Sequence, residues 1–166
     1  MIIITKINNY EEINKNLLSL IDKIPNNPLI ECEDDISHTD WNLPKKFKRE
    51  YLEYFYTIIS PYMKEMAIKF NSRQYSITEG WFQQYDKLKT HQWHTHPMAN
   101  LTNVYFVELP SKSLGTEILG HERLDLNEGD LLTFPAYWYH RSPVNLDMGR
   151  KTVVAFNSNF FDYYSE

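Results

Sequence analysis

The second half of the chain consists of short β-prone runs, and this pattern restricts the possible fold more than any other feature. Five runs rich in Val, Ile, Phe, Tyr and Thr follow Asn71: QYSITEGWFQQYDKL, LTNVYFVELP, EILGHERLDL, GDLLTFP and KTVVAFNSNF. Gly, Pro, Asp and Asn separate them, and repeated short strands between turn signals indicate a sandwich or a barrel. The sequence therefore predicts an antiparallel β unit over residues 72–162.

The part before this unit, residues 1–70, reads as helical after a short initial strand. In NNYEEINKNLLSLIDKI the apolar residues recur at helical spacing: Ile13, Leu17, Leu18 and Ile21. Asn9 before two glutamates suits a helix start. A second helix is predicted from about Pro44, and Pro61 either kinks it or starts a new helix. We expect the helices to cover one outer face of the β unit.

Length and composition favour a single domain over residues 1–166. The net charge of −5, without a basic run, argues against general nucleic-acid binding. Cys32 is the single cysteine, so no internal disulfide can form. No apolar run approaches the ~20 residues of a membrane span, and the N-terminus lacks the pattern of a signal peptide. These features predict a cytoplasmic protein without a membrane partner.

Three histidines in HQWHTHP suggest a metal site. Residues i and i+2 of a strand point to the same side, about 6.6 Å apart, so His94 and His96 can both reach one ion. His140, after the run GDLLTFP, is the best candidate for a third ligand. Imidazoles suit Fe, Zn, Cu and Ni alike, and the absence of cysteine pairs disfavours structural zinc. His91 is predicted to be a surface residue in a polar turn, although it could replace one of these ligands.

Larger segments around these residues resemble a known family. WFQQYDKLKTHQWHTHPMANLTNVYFVELP, EGDLLTFPAYWYHRSPVN and GRKTVVAFNSNF are similar to the 2-oxoglutarate/Fe(II)-dependent oxygenases, which are distantly like prolyl hydroxylases. The similarity covers residues 75–160. It implies a double-stranded β-helix, a jelly-roll or cupin-like barrel packed against the N-terminal helices. It also implies a dioxygenase in which Fe(II) is held by His94, His96 and His140. Such an enzyme hydroxylates a substrate with O2 and converts 2-oxoglutarate, its co-substrate, to succinate and CO2.

The resemblance further implies a cation deep in the barrel that holds the distal carboxylate of 2-oxoglutarate. Arg150 fits this role, because a planar guanidinium can hold a carboxylate with two parallel hydrogen bonds. Thr152 lies on the same side of the strand and can donate its hydroxyl. Lys151, between them, is expected to be exposed. Tyr85 is carried over from a tyrosine that helps to bind the co-substrate carboxylate in prolyl hydroxylases.

The ligand set departs from the most frequent pattern for this chemistry. Many such enzymes use two histidines and one carboxylate, whereas His96 occupies the position two residues after His94. A cupin-type metalloprotein, either an isomerase or a dioxygenase that uses no keto acid, stays an alternative because GDLLTFPAYWYH resembles the second cupin motif. The glutamate of the first cupin motif is missing, since Asn100 and Leu101 occupy its place. A non-enzymatic metal-binding module is the third alternative.

The sequence leaves the substrate open among a peptide, a prolyl residue and a small metabolite. Aromatic side chains are expected at the mouth of the barrel, where they would suit any of these: Trp93, Tyr137, Trp138 and Tyr139. A homodimer is also left open, because the edges of such β folds often pair.

Overall fold

The structure, a computed structural model, describes residues 1–26 and 35–162. Cys32 and the expectation about it lie outside these ranges. These ranges contain two α-helices, α1 (Tyr10–Ile21) and α2 (Glu50–Lys69), and a 3-10 helix over Lys112–Leu114. The β-strands are β1 (Ile3–Lys6), β2 (His38–Thr39), β3 (Gln74–Tyr85), β4 (His91–His94), β5 (Leu101–Glu108), β6 (Glu117–Ile118), β7 (Asp130–Pro135), β8 (His140–Ser142) and β9 (Lys151–Phe161). Neither α-helix is long and apolar enough to cross a membrane.

The strands form two sheets in which the neighbours are antiparallel. The larger sheet has the order β1-β7-β5-β9-β3-β2, and the smaller sheet has the order β4-β8-β6. The outer face of the larger sheet packs against α1 and α2, so that Phe82, Tyr105 and Phe156 share one apolar cluster with the helices. Its inner face contributes Phe106 and Phe134 to a second cluster. The prediction of a mostly β fold with helices on one outer face is confirmed.

Two elements differ in length from the sequence predictions. Helix α2 begins at Glu50 and not near Pro44, because the preceding segment wraps around the guanidinium of Arg49, which donates to the carbonyls of Asp40 and Leu43. The helix continues through Pro61. The run EILGHERLDL forms only the two-residue strand β6, since the chain turns at Gly120, where φ is +80°. Glycine adopts this left-handed conformation without a Cβ penalty.

A buried carboxylate fixes the loop before α2 to the large sheet. Asp40 is fully buried, and its Oδ2 accepts hydrogen bonds from Arg49 Nε and from the Tyr51 hydroxyl, each at 2.7 Å. Its Oδ1 accepts from the backbone N–H of Phe82 at 3.0 Å. Burial raises the pKa of Tyr51, and the charge of Asp40 raises it further. The loop, α2 and β3 are therefore held together by one side chain.

We expect Asp40→Ala to lower the free energy of unfolding by about 3–5 kcal/mol, because the substitution leaves a largely buried guanidinium without its counter-ion. Urea denaturation measures the effect. The matched control is Asp125→Ala, which removes an ion pair with Lys112 whose two side chains are 77% and 62% exposed. That substitution should change stability by less than about 1 kcal/mol. Similar losses for the two variants would contradict a structural role for Asp40.

Candidate metal centre

Strand pairing and one turn bring the three histidines of the sequence motif together. His94 ends β4, His140 begins β8, and the two residues are directly paired in the smaller sheet. His96 lies two residues beyond the end of β4, and its backbone N–H donates to the carbonyl of Ala136 at 2.8 Å. The expectation that His94 and His96 share a strand is therefore wrong, because only His94 belongs to β4. The two rings nevertheless converge.

The distances among the three rings fit coordination of one ion. One ring nitrogen from each of His94, His96 and His140 lies within 4.8 Å of the others. The Nε2 atoms of His96 and His140 are 3.2 Å apart. Two nitrogens bound at right angles with metal–nitrogen bonds near ~2.1 Å would be separated by ~3.0 Å. Within residues 1–26 and 35–162, this ligand group contains imidazoles only and no carboxylate.

Backbone carbonyls fix two of the three rings in the form that binds a metal. The Nδ1 of His94 is 2.7 Å from the carbonyl of Gln92, and the Nδ1 of His140 is 3.0 Å from the carbonyl of Trp138. A carbonyl can only accept, so each Nδ1 carries the proton and donates it. The Nε2 of each ring then has its lone pair available, as is typical of metal-binding histidines.

Burial keeps the rings of His96 and His140 uncharged at neutral pH. It lowers the pKa of His96 to about 3, and the neighbouring histidines lower that pKa further. Burial and the nearby His94 likewise lower the pKa of His140 to about 3. Neutral imidazoles can pack this closely without repulsion, and they need to release no proton when a metal binds.

His91 is not the surface residue that the sequence predicts. Its ring stacks on that of His94, with centroids 3.8 Å apart and an interplanar angle of 17°. Its Nδ1 lies 3.1 Å from Nε2 of Gln83, and burial lowers its pKa to about 3. His91 therefore lies beside the ligand group and supports His94, and it is not one of the three residues whose nitrogens converge.

A narrow cavity of about 30 Å³ extends inward from the histidines. Tyr85 and Lys151 lie on its wall, and Lys151 is only 1% exposed. The Lys151 ammonium donates to the hydroxyl of Ser142 at 2.8 Å and lies over the rings of Tyr85 and Phe106. Burial lowers the pKa of Lys151 to about 7. A buried cation beside three converging imidazoles is suited to binding an anion.

Thr152 on β9, and Arg150 immediately before this strand, point away from the face of Lys151, so the orientation predicted from the sequence is wrong. Successive side chains of a strand alternate between its two faces, and the inward position belongs to Lys151. Arg150 is 33% exposed, and its Nε donates to Glu108 Oε2 at 2.9 Å. The Thr152 hydroxyl also donates to Glu108. Tyr85 does line the cavity, with its hydroxyl donating to Gln83 at 2.9 Å.

A wider groove of about 670 Å³ opens outward from the histidines. Its aromatic wall consists of Trp41 and Trp81, which the sequence did not identify as site residues. The aromatic residues expected at the mouth line neither this groove nor the inner cavity: Trp93, Tyr137, Trp138 and Tyr139. Trp138 instead packs against His121 at 4.6 Å. Trp41 and Trp81 are separated by forty positions in the sequence, so no short motif contains both.

No protein-family model matches the sequence, and no curated protein matches it. Solved structures do match. HygX from Streptomyces hygroscopicus, with nickel and 2-oxoglutarate bound, aligns with a TM-score of 0.70 at 9% identity, over 95% of this chain and 82% of that one. The viral collagen prolyl hydroxylase of Paramecium Bursaria Chlorella virus-1, in a 2-oxoglutarate complex, aligns with a TM-score of 0.62 at 12% identity, over 93% of this chain and 94% of that one.

A third neighbour is a prolyl hydroxylase from Trichoplax adhaerens in complex with a peptide fragment of the hypoxia-inducible factor oxygen degradation domain. It aligns with a TM-score of 0.61 at 13% identity, over 97% of this chain and 83% of that one. These neighbours confirm the double-stranded β-helix fold and its likeness to prolyl hydroxylases and other 2-oxoglutarate/Fe(II) oxygenases.

Proposed function

We propose that this protein is an Fe(II)- and 2-oxoglutarate-dependent oxygenase that hydroxylates a substrate with O2 and releases succinate and CO2. The observation that carries the proposal is the convergence of three imidazoles at a cavity that a buried ammonium group also lines, in a fold shared with 2-oxoglutarate complexes. A ligand group and an anion-binding group that line the same cavity match the two ends of a keto acid.

His94, His96 and His140 would hold the metal, and the carbonyls behind His94 and His140 would keep their Nε2 atoms directed at it. Bound Fe(II), with the keto acid and O2, supplies the oxidation of a C–H bond. The protein's own contribution is positioning and electrostatics. Because all three ligands are neutral, the bound ion would keep its full charge, which favours an anionic co-substrate.

Lys151, and not Arg150, would hold the distal carboxylate of 2-oxoglutarate. Its ammonium lies in the inner cavity and can form a charge-assisted hydrogen bond to a carboxylate. Tyr85 would border the same carboxylate. Since 2-oxoglutarate is larger than the cavity, we expect the Lys151 side chain to leave Ser142 as the carboxylate enters. Arg150 is occupied by Glu108 on the other face of the sheet.

The affinity for 2-oxoglutarate should decrease as the pH rises above about 7. In the free protein the pKa of Lys151 is about 7, and a bound carboxylate favours the charged ammonium and raises that pKa. Binding therefore takes up a proton above pH 7, and the Kd should increase by up to about tenfold per pH unit. Calorimetry with the Zn(II)-loaded protein from pH 6 to 9 measures this slope. Pyruvate, which lacks the distal carboxylate, is the control ligand and should show a flatter profile.

The activity is tested with protein purified without oxygen. Addition of Fe(II) and 2-oxoglutarate should produce a weak metal-to-ligand charge-transfer band, and admission of O2 should release succinate. A protein that binds metal but gives neither signal would contradict the proposal and favour a cupin-type metalloprotein. A protein that takes up no metal would favour a non-enzymatic module.

A further inference from the structure

We propose that the outer groove selects a substrate with a positively charged nitrogen group, an alkylammonium or a guanidinium, which binds between Trp41 and Glu79. The inference rests on the proposed oxygenase function, because it assigns the substrate class to the groove that leads to the histidines. Three independent features support it: the path of the groove, the rigidity of its exposed indole, and the position of its charges.

The groove runs from the histidines along the inner face of β3. The ring of Trp81 lies 5.3 Å from that of His96, and Glu79 is two residues further along the strand and lines the same groove. Two residues of a strand span about 6.6 Å. A charged group at Glu79 would thus leave a neutral part of the same substrate, several bonds away, next to the metal centre.

Trp41 is an exposed aromatic residue on a rigid backbone. It is 48% exposed, and its ring meets Trp81 edge to face at a centroid distance of 4.6 Å. Its backbone N–H donates to the hydroxyl of Thr39, which in turn donates to the carbonyl of Phe82 at 2.7 Å. The buried Asp40 fixes the same loop. A binding surface that is already ordered loses little entropy when a ligand binds.

The charges favour a cation at the Glu79 end of the groove. Among the residues that the structure describes, the Glu79 carboxylate forms neither an ion pair nor a hydrogen bond. The face of an indole ring attracts cations, so Trp41 and Glu79 act together. Lys45 also lines the groove, has no ion-pair partner in the described ranges, and is not paired with Glu79. It would repel a cation, and so would the bound metal, so the positive group is expected at Glu79, the acidic side chain among the residues that line this groove.

The test compares ligand pairs that differ mainly in charge. The N-acetyl amides of lysine and arginine are titrated into the full-length protein, with and without Zn(II), against the N-acetyl amides of norleucine and citrulline. The Trp41 indole N–H resonance, assigned with Trp41→Phe, reports binding. The charged ligands should bind at least about tenfold more tightly than the neutral ones. A parallel titration with n-butylammonium shows whether the groove binds a basic side chain of a peptide more tightly than a free alkylamine.

Two variants decide whether Glu79 is responsible. Glu79→Gln should remove the preference for charged ligands, whereas Lys45→Gln should preserve or increase it. Equal binding of charged and neutral ligands by the wild-type protein, or loss of binding in Lys45→Gln, would overturn the inference. Succinate release without any cation preference would overturn the inference about the groove and leave the proposed oxygenase function standing. A cation preference without a 2-oxoglutarate band would instead contradict the proposed function.

Discussion

Replacing His140 by alanine should abolish stoichiometric metal binding. His140 supplies an Nε2 atom that faces His96 at 3.2 Å, and its Nδ1 is held by the carbonyl of Trp138. The remaining two imidazoles cannot complete a three-ligand site. Since loss of a supporting group around a metal ligand already costs about 10–100-fold in affinity, loss of the ligand itself should cost at least about 100-fold. Metal analysis after dialysis against Fe(II) or Co(II) measures the change, and His94→Ala and His96→Ala should behave alike.

His91→Ala is the matched control, because His91 stacks on His94 without belonging to the converging group. Because His91 only supports a ligand, its loss should cost no more than about 10–100-fold in metal affinity, less than the loss of a ligand itself. Thermal unfolding of each variant separates loss of ligand from loss of fold. If His91→Ala lost the metal while His94→Ala kept it, the ligand set would have to be reassigned to include His91.

The parts of the fold that the sequence predicted are those with a strong local signal. The long apolar runs around β3, β5, β7 and β9 form strands, and the helical spacing of α1 is reproduced between Tyr10 and Ile21. Strands β2, β4 and β8 have only two to four residues and no comparable composition. They exist because a neighbouring strand pairs with them, and such long-range pairing is not encoded in a short window.

The inward cation could not be chosen from the sequence because β9 is buried on both faces. Val153 belongs to the cluster inside the fold, and Val154 belongs to the cluster under the helices. Without alternation of polar and apolar residues, a shift of one position moves every side chain to the other face. The pairing of Lys151 with Tyr85 on β3 sets the register. That contact joins residues 66 positions apart.

The outer groove could not be predicted from the sequence for the same reason, because its residues are far apart in the chain. Trp41 lies in a loop, Glu79 on β3, and His96 beyond β4. The buried Asp40, which connects the loop to β3 and α2, helps to bring the first of these to the other two. The histidine site could be predicted because two of its members are two residues apart in the sequence. Trp41, Glu79 and His96 include no such short-range pair.

Lys151→Met should have two large and opposite effects. It should weaken the binding of 2-oxoglutarate by at least about 30-fold, because removal of one partner of a buried charge pair costs 2 kcal/mol or more. It should also stabilise the free protein by about 1–4 kcal/mol at pH 7 or below, since an apolar side chain of similar length replaces a buried ammonium. Methionine can fill the space between the rings of Tyr85 and Phe106 that the lysine stem now fills.

The stabilisation should depend on pH with a defined sign. The pKa of Lys151 is about 7 in the folded protein, whereas an unfolded lysine has a pKa near ~10.4. Below pH 7 the folded protein carries the full cost of the buried charge. Between pH 7 and ~10.4 only the unfolded chain stays protonated, so wild-type stability gains relative to the variant as the pH rises. The advantage of Lys151→Met should thus be greatest at pH 6 and small near pH 10.

Arg150→Ala is the control for both measurements. Its side chain lies on the other face of β9 with Glu108, so 2-oxoglutarate affinity should stay within about threefold of wild type, and no stabilisation should occur. Urea denaturation at pH 6 and pH 9, together with calorimetry of the Zn(II)-loaded proteins, separates the variants. If Lys151 only supported the fold, its replacement by methionine would lower the free energy of unfolding of the protein. A gain in stability together with a loss of co-substrate binding is expected only if Lys151 is retained, at a cost to the fold, for the carboxylate.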